Sequence, residues 1–221
     1  MSITLAFLAV VAAIAGWWLS QHRLAAKPWL EEGPLSDLPG AGRPSLPVAK
    51  IGLGVFLAVV GALFALFASA YSMRMHMGDW APLPEPKLLW LNTGILVLSS
   101  VALHWAQVSA RRSDIDGVRN GLLAGGACAL GFLVGQLFAW RELSEAGYYL
   151  ASNPANAFFY LITALHGLHL LGGLVALGRT TARAWSVAES EPLQLSIELC
   201  AMYWHFLLLI WLLLFGLMSV T

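Results

Sequence analysis

The chain has 221 residues, of which 59% are hydrophobic and only 11% charged, and its net charge is zero. Soluble domains carry about 25% charged residues, so this composition excludes an ordinary water-soluble globule. The balanced charge also leaves no electrostatic footprint for nucleic acid.

Six apolar stretches follow one another, at roughly 2–20, 51–73, 88–110, 120–140, 156–178 and 197–220. A hydrocarbon layer about 30 Å thick needs about 20 apolar helical residues, and each stretch is long enough. None contains Lys, Arg or Asp, and the only Glu among them is Glu198. The stretches lack the two-residue alternation of a membrane barrel. In lipid a non-barrel backbone must satisfy its own polar groups, which requires helices. The expected fold is an all-α polytopic membrane helix bundle with six transmembrane helices.

The first stretch has no positive segment before it and is followed by Arg23 and Lys27. That reads as a retained helix rather than a cleaved signal peptide. Pro28, Pro34, Pro39, Pro44 and Pro47 crowd the next segment, which reads as an irregular linker. Residues 1–50 therefore read as an N-terminal transmembrane helix and Pro-rich cytoplasmic linker. Residues 51–221 form a five-helix membrane domain. Pro82, Pro84 and Pro86 precede the third stretch. The fourth carries Gly125, Gly126, Gly131 and Gly135, small residues that let helices approach closely. Asn153–Pro154 predicts a helix start, with Asn at the cap and Pro in the first turn. Ser196 is expected to cap the last helix. Cys128 and Cys200 lie in different stretches without metal or redox spacing, and read as small packing residues.

The odd-numbered loops hold Arg23, Lys27, Arg43, Lys50, Arg111, Arg112, Arg119, Arg179 and Arg183; the even-numbered loops hold Arg74, Lys87 and Arg141. The excess places the odd loops in the cytoplasm and both termini outside. No internal repeat of the transporter kind is visible.

Ionisable groups are costly inside a membrane, so they point to the interior of the bundle. The candidates are His104, His166, His169, Glu198 and His205, with Gln136 as a neutral companion. Glu198 and His205 are seven residues apart and share one helix face, while Trp204 and Trp211 share a second face rotated by roughly 120°. The first face is expected to look into the bundle and the aromatic face toward lipid or a partner. On that assignment, Glu198→Ala and His205→Ala weaken assembly more than Trp204→Ala. His166 and His169 are neighbours on one helix surface. By helical rise His166 lies about 15 Å from the outer boundary and His205 about 12 Å from the inner one, so the two can meet. That permits a bis-histidine b-type haem, and equally permits interhelical hydrogen bonds worth about 1 kcal/mol each. No GxSxG, Walker, HExxH or dinucleotide-binding sequence occurs.

The run Phe158-Phe159-Tyr160-Leu161-Ile162-Thr163-Ala164-Leu165-His166-Gly167-Leu168-His169 resembles the HGLH helix of subunit III of haem–copper respiratory oxidases. The run Glu198-Leu199-Cys200-Ala201-Met202-Tyr203-Trp204-His205-Phe206, followed by Trp211, resembles that family's last helix. Leu91-Asn92-Thr93 with Trp105 matches an earlier helix more weakly, and Gln136, Trp140 and Glu142 look like remnants of another. The resemblance covers about residues 51–219 and marks the N-terminal helix and linker as extra to the family's five-helix core. It implies a non-catalytic subunit that carries no cofactor, packs against subunits I and II and holds phospholipid. Haem and copper are expected in those partners. The complex would reduce dioxygen to water, pump protons and sit in the bacterial inner membrane. Gln136, Trp140, His166, His169, Glu198 and His205 become candidate lipid-binding or bundle-interior polar residues, and Trp204 and Trp211 candidate partner- or lipid-facing ones. Carboxylates usual in the family are missing near Val60, Ala139 and Leu208. This points to a divergent branch, with an accessory subunit of a nitric-oxide-reductase-like complex as an alternative.

Overall fold

The computed structural model describes residues 47–82, 84, 87–186 and 191–219, together with residues 9, 13 and 17. The expected helix over 2–20 and most of the linker lie outside the described residues. Every regular element described over 48–219 is an α-helix: α1 is Val48–Arg74, α2 Leu88–Arg111, α3 Ile115–Glu145, α4 Pro154–Ser186 and α5 Glu191–Ser219. All five are long and apolar enough to cross a membrane. The shortest, α2 with 24 residues, is about 36 Å long at 1.5 Å per residue.

The chain divides into two compact units, residues 1–65 and 66–221. In the first, the described part of α1 buries Leu57, Val60 and Phe64, a three-and-four spacing that makes one stripe. In the second, α2 packs on α3 and α5, and α4 packs on the same two helices. The four helices therefore form a closed ring in the order α2, α3, α4, α5.

Several helices run past the apolar stretches that predicted them. Helix α3 begins at Ile115 rather than near 120, and α4 continues to Ser186 rather than near 178. Their ends are polar, and polar residues continue a helix into the aqueous boundary without cost. The same effect corrects the expectation for Ser196. Helix α5 begins at Glu191, so Ser196 lies inside the helix and does not cap it.

The α2–α3 connection is short because it is capped from both sides. The amide of Asp114 donates to the Ser109 carbonyl, and Ser113 takes a left-handed conformation with φ of 60°. The Asp114 carboxylate then accepts from the Gly117 amide at 3.0 Å as the N-cap of α3. Beyond this turn the two helices lie against each other through small residues. A Cβ on Gly121 would come within 2.7 Å of the Ala106 Cβ and 2.9 Å of the Ala102 carbonyl oxygen. A Cβ on Gly125 would come within 2.7 Å of the Leu103 side chain.

Helix α4 starts where Asn153–Pro154 predicted. The Asn153 side-chain oxygen accepts from the Ala155 amide at 3.0 Å. The same side chain donates to the Ala81 carbonyl at 2.6 Å and accepts from the Ala81 amide at 3.4 Å. It thus ties the loop after α1 to the start of α4. In the same loop Arg74 forms a two-pronged ion pair with Asp79. Trp80 packs edge-on against Tyr71, which packs against Phe158 of α4.

Candidate functional site: the polar interior of the helix ring

Three indole N–H groups organise the inside of the ring, each donating to a small hydroxyl on a neighbouring helix. The Trp204 indole on α5 donates to the Ser99 hydroxyl on α2 at 3.0 Å, and that hydroxyl donates to the Gly125 carbonyl on α3 at 2.7 Å. One relay therefore joins three helices. The Trp211 indole on α5 donates to Thr93 on α2 at 2.9 Å, and Thr93 donates to the Leu89 carbonyl of its own helix at 2.8 Å. The Trp140 indole on α3 donates to Thr163 on α4 at 3.0 Å, and the Thr163 hydroxyl donates to the Phe159 carbonyl at 2.6 Å. In each case a large apolar body fills space while its single donor finds an acceptor, which is the condition for burying a Trp in a dry interior.

His166 sits at the centre with no exposed surface. Its ring lies 5.8 Å from Phe132 of α3 and 5.1 Å from Trp211 of α5. Phe132 and Trp211 in turn meet edge-on at 4.9 Å across the middle of the ring. One turn along α3 from Phe132, Gln136 is also buried. His169 is half-buried, with Nδ1 2.7 Å from its own helix's Leu165 carbonyl. The His169 carbonyl accepts from the Tyr203 hydroxyl of α5 at 2.9 Å. This α4–α5 contact is close because Gly173 leaves room: a Cβ there would lie 2.6 Å from the Tyr203 ring and 2.9 Å from that of Trp204.

The face assignment for α5 is reversed in the structure. Trp204 and Trp211, expected to face lipid or a partner, are both 0% exposed and hydrogen-bonded to α2. His205, expected inside, is exposed on the outer side of the α2–α5 seam. There its Nδ1 lies 2.5 Å from the Ser100 hydroxyl, and its ring is 5.7 Å from that of His104, which is exposed too. Glu198 is half-buried. The physical reason is that lipid tails are as apolar as Leu, so hydropathy does not drive an apolar face inward in a membrane. What decides is volume and hydrogen bonding between helices. The two indoles fill the ring and reach hydroxyls on α2.

The separation also removes the geometry of a bis-histidine haem. His166 faces the centre between two aromatic rings, whereas His205 looks outward over α2. Among the described residues no three or more His, Cys, Asp or Glu side chains are grouped so as to hold a metal ion. Sequence reasoning missed Ser99 and Ser100, the hydroxyls that receive Trp204 and His205. Small hydroxyls in an apolar run carry no pattern of their own, and only the facing helix reveals them.

The family model for cytochrome c oxidase subunit III matches residues 49–220. A Mycobacterium bovis protein named "Probable cytochrome c oxidase subunit 3" is 32% identical over 179 residues, covering 78% of this chain and 87% of that protein. Proteins named cytochrome c oxidase subunit 3 from Synechocystis and Thermostichus vulcanus are each 31% identical, over 180 and 175 residues. They cover 79% and 77% of this chain and 75% and 86% of their own lengths.

Proposed function

This chain belongs to the cytochrome c oxidase subunit III family, and from that premise we propose that it is a packing and lipid-holding subunit of a proton-pumping terminal oxidase. As subunit III of a haem–copper oxidase it is a multi-pass membrane component of an oxidoreductase complex. The observation that carries the finer reading is the interior of the α2–α5 ring. Trp204, Trp211, Phe132 and His166 fill it with side chains, so the ring supports a scaffold rather than a reaction chamber.

On this reading the redox centres reside in partner subunits I and II, and this chain supplies surface. The exposed His104 and His205 on the α2–α5 seam favour that face for a partner's membrane helix, because imidazoles are poorly accommodated by lipid tails. Arg111 and Arg112 at the end of α2, and Arg179 and Arg183 in the last turns of α4, are exposed and suit phospholipid head groups. The sequence supports an inner-membrane protein of a bacterium, with a sixth helix over 2–20 and both termini outside. The division into 1–50 and 51–221 belongs to the same reading. Gln136, Trp140, His166 and His169 are assigned to the interior, and Glu198 and His205 to the side where lipid or partner is met.

Affinity purification of the tagged full chain in mild detergent tests this. The expected result is co-purification of haem- and copper-containing subunits with retained phospholipid. The chain stripped of partners is expected to be colourless. A Soret band in the stripped chain that disappears in His166→Ala would replace the scaffold reading with an intrinsic haem protein.

A further inference from the structure

Asn92 of α2 is 1% exposed and Gln136 of α3 is 4% exposed, and neither side-chain amide has a hydrogen-bond partner at its oxygen or its nitrogen. A buried amide without a partner carries the full cost of its desolvation, and native proteins rarely leave one so. Here two occur at one level of one helix pair. The Asn92 amide lies flat against Gly135: a Cβ at that glycine would run into its oxygen, carbon and nitrogen alike. Gly135 is the chain neighbour of Gln136, so the Asn92 amide approaches the backbone from which the Gln136 side chain springs. Gln136 is one turn from Phe132, and Phe132 contacts Trp211, whose indole is bonded to Thr93, the neighbour of Asn92. Asn92 and Gln136 therefore lie along the same stretch of the α2–α3 contact, near the Phe132–Trp211 ring pair.

We propose that Asn92 and Gln136 form a binding site for one structural water molecule inside the helix ring. Each amide brings an NH2 group with two N–H donors and a carbonyl oxygen with two lone pairs, so the pair offers two donor groups and two acceptor atoms. That complement matches a water molecule, which donates twice and accepts twice. Internal waters typically make about three hydrogen bonds to otherwise unsatisfied groups. The site is neutral on both helices, which disfavours an ion. The absent side chain of Gly135 is what lets Asn92 reach the site. The water would couple α2 to α3 where the two amides fall short of each other.

The test is a double-variant cycle on the full chain in nanodiscs, following the thermal midpoint for Asn92→Leu, Gln136→Leu and the pair together. If both amides share one water, each single variant strands the other amide and lowers the midpoint. The double variant then melts above the sum of the two losses, because no orphaned group is left. Strictly additive losses would overturn the shared site. A high-resolution density map of the assembled oxidase gives a second readout that does not depend on the variants. Density within hydrogen-bonding distance of both amides is expected. A direct amide–amide hydrogen bond in that map, or a site without density, would overturn the proposal.

Discussion

Trp204 shows how a single side chain can hold three helices at once. Its indole bonds Ser99, which bonds the Gly125 carbonyl, and its ring lies under Gly173. Removing it leaves a cavity and takes away the N–H that the Ser99 hydroxyl accepts, while that hydroxyl keeps its bond to the Gly125 carbonyl. Trp204→Ala is expected to cost about 3–5 kcal/mol, the range for large aromatic truncations in a core. Trp204→Phe should cost less, because most of the volume remains while the hydrogen bond is lost. Glu198→Ala and His205→Ala, on the less buried face, should cost the bundle far less than Trp204→Ala. Midpoints of thermal unfolding by circular dichroism check the ranking. Asp79 makes a gentler case. Its hydrogen bonds from the Arg74 guanidinium hold its carboxyl below the usual carboxylate range. A depressed folded value stabilises above the unfolded one, and the contribution disappears as pH falls through the folded value. The wild-type loop should therefore loosen in acid. Asp79→Asn should lose that part of the pH dependence while remaining near wild type at low pH. Both groups are at the surface, so the effect is small. Amide exchange in residues 75–82 as a function of pH measures it.

At the scale of elements, the α2–α3 pair depends on closeness and the α1–α2 loop on a clamp to the start of α4. Gly121→Leu puts a branched side chain where even a Cβ would sit 2.9 Å from the Ala102 carbonyl. Backbone cannot yield as a flexible side chain can, so a loss of at least about 1–3 kcal/mol is expected. Gly126→Ala is the control, since its nearest neighbour, Leu177, is 3.4 Å from the added Cβ. It should be tolerated far better in the same unfolding measurement. Asn153→Ala removes a helix cap, for about 1 kcal/mol. It also frees the backbone of Ala81. Faster proteolysis near residues 79–84 should accompany the lower stability, whereas a cap alone would leave the loop's protection unchanged.

For the whole molecule, family membership and the filled ring interior both support the proposed scaffold reading, and the apolar residues at two of the positions where the resemblance leads one to expect carboxylates are buried. Ala139 is fully buried on α3 and Val60 is buried on α1. An acid at either position would need a partner inside an apolar layer, at a cost of several kcal/mol if ionised. Apolar residues there suit the close packing. Topology is testable directly. Gly78→Cys and Ser186→Cys are expected to label with membrane-impermeant maleimide from opposite sides of the membrane, the first from outside. Labelling of both from one side would reject the charge-based orientation.

The sequence by itself determined that this chain lives in a membrane, where five of its helices run, and which family it resembles. These are properties of one segment at a time. Twenty apolar residues must become a helix in lipid whatever surrounds them. Asn153–Pro154 likewise carried its own cap, and HGLH and YWHF kept their spacing. Tertiary structure alone decided which way each helix turned. In water, the apolar face of a helix points inward, so composition reveals orientation. In lipid that rule is silent, and facing is settled by volume and by hydrogen bonds to residues far along the chain. Trp204 turned inward because Ser99 waits 105 positions earlier to receive its N–H. His205, one residue on, turned outward over Ser100 for the same kind of reason.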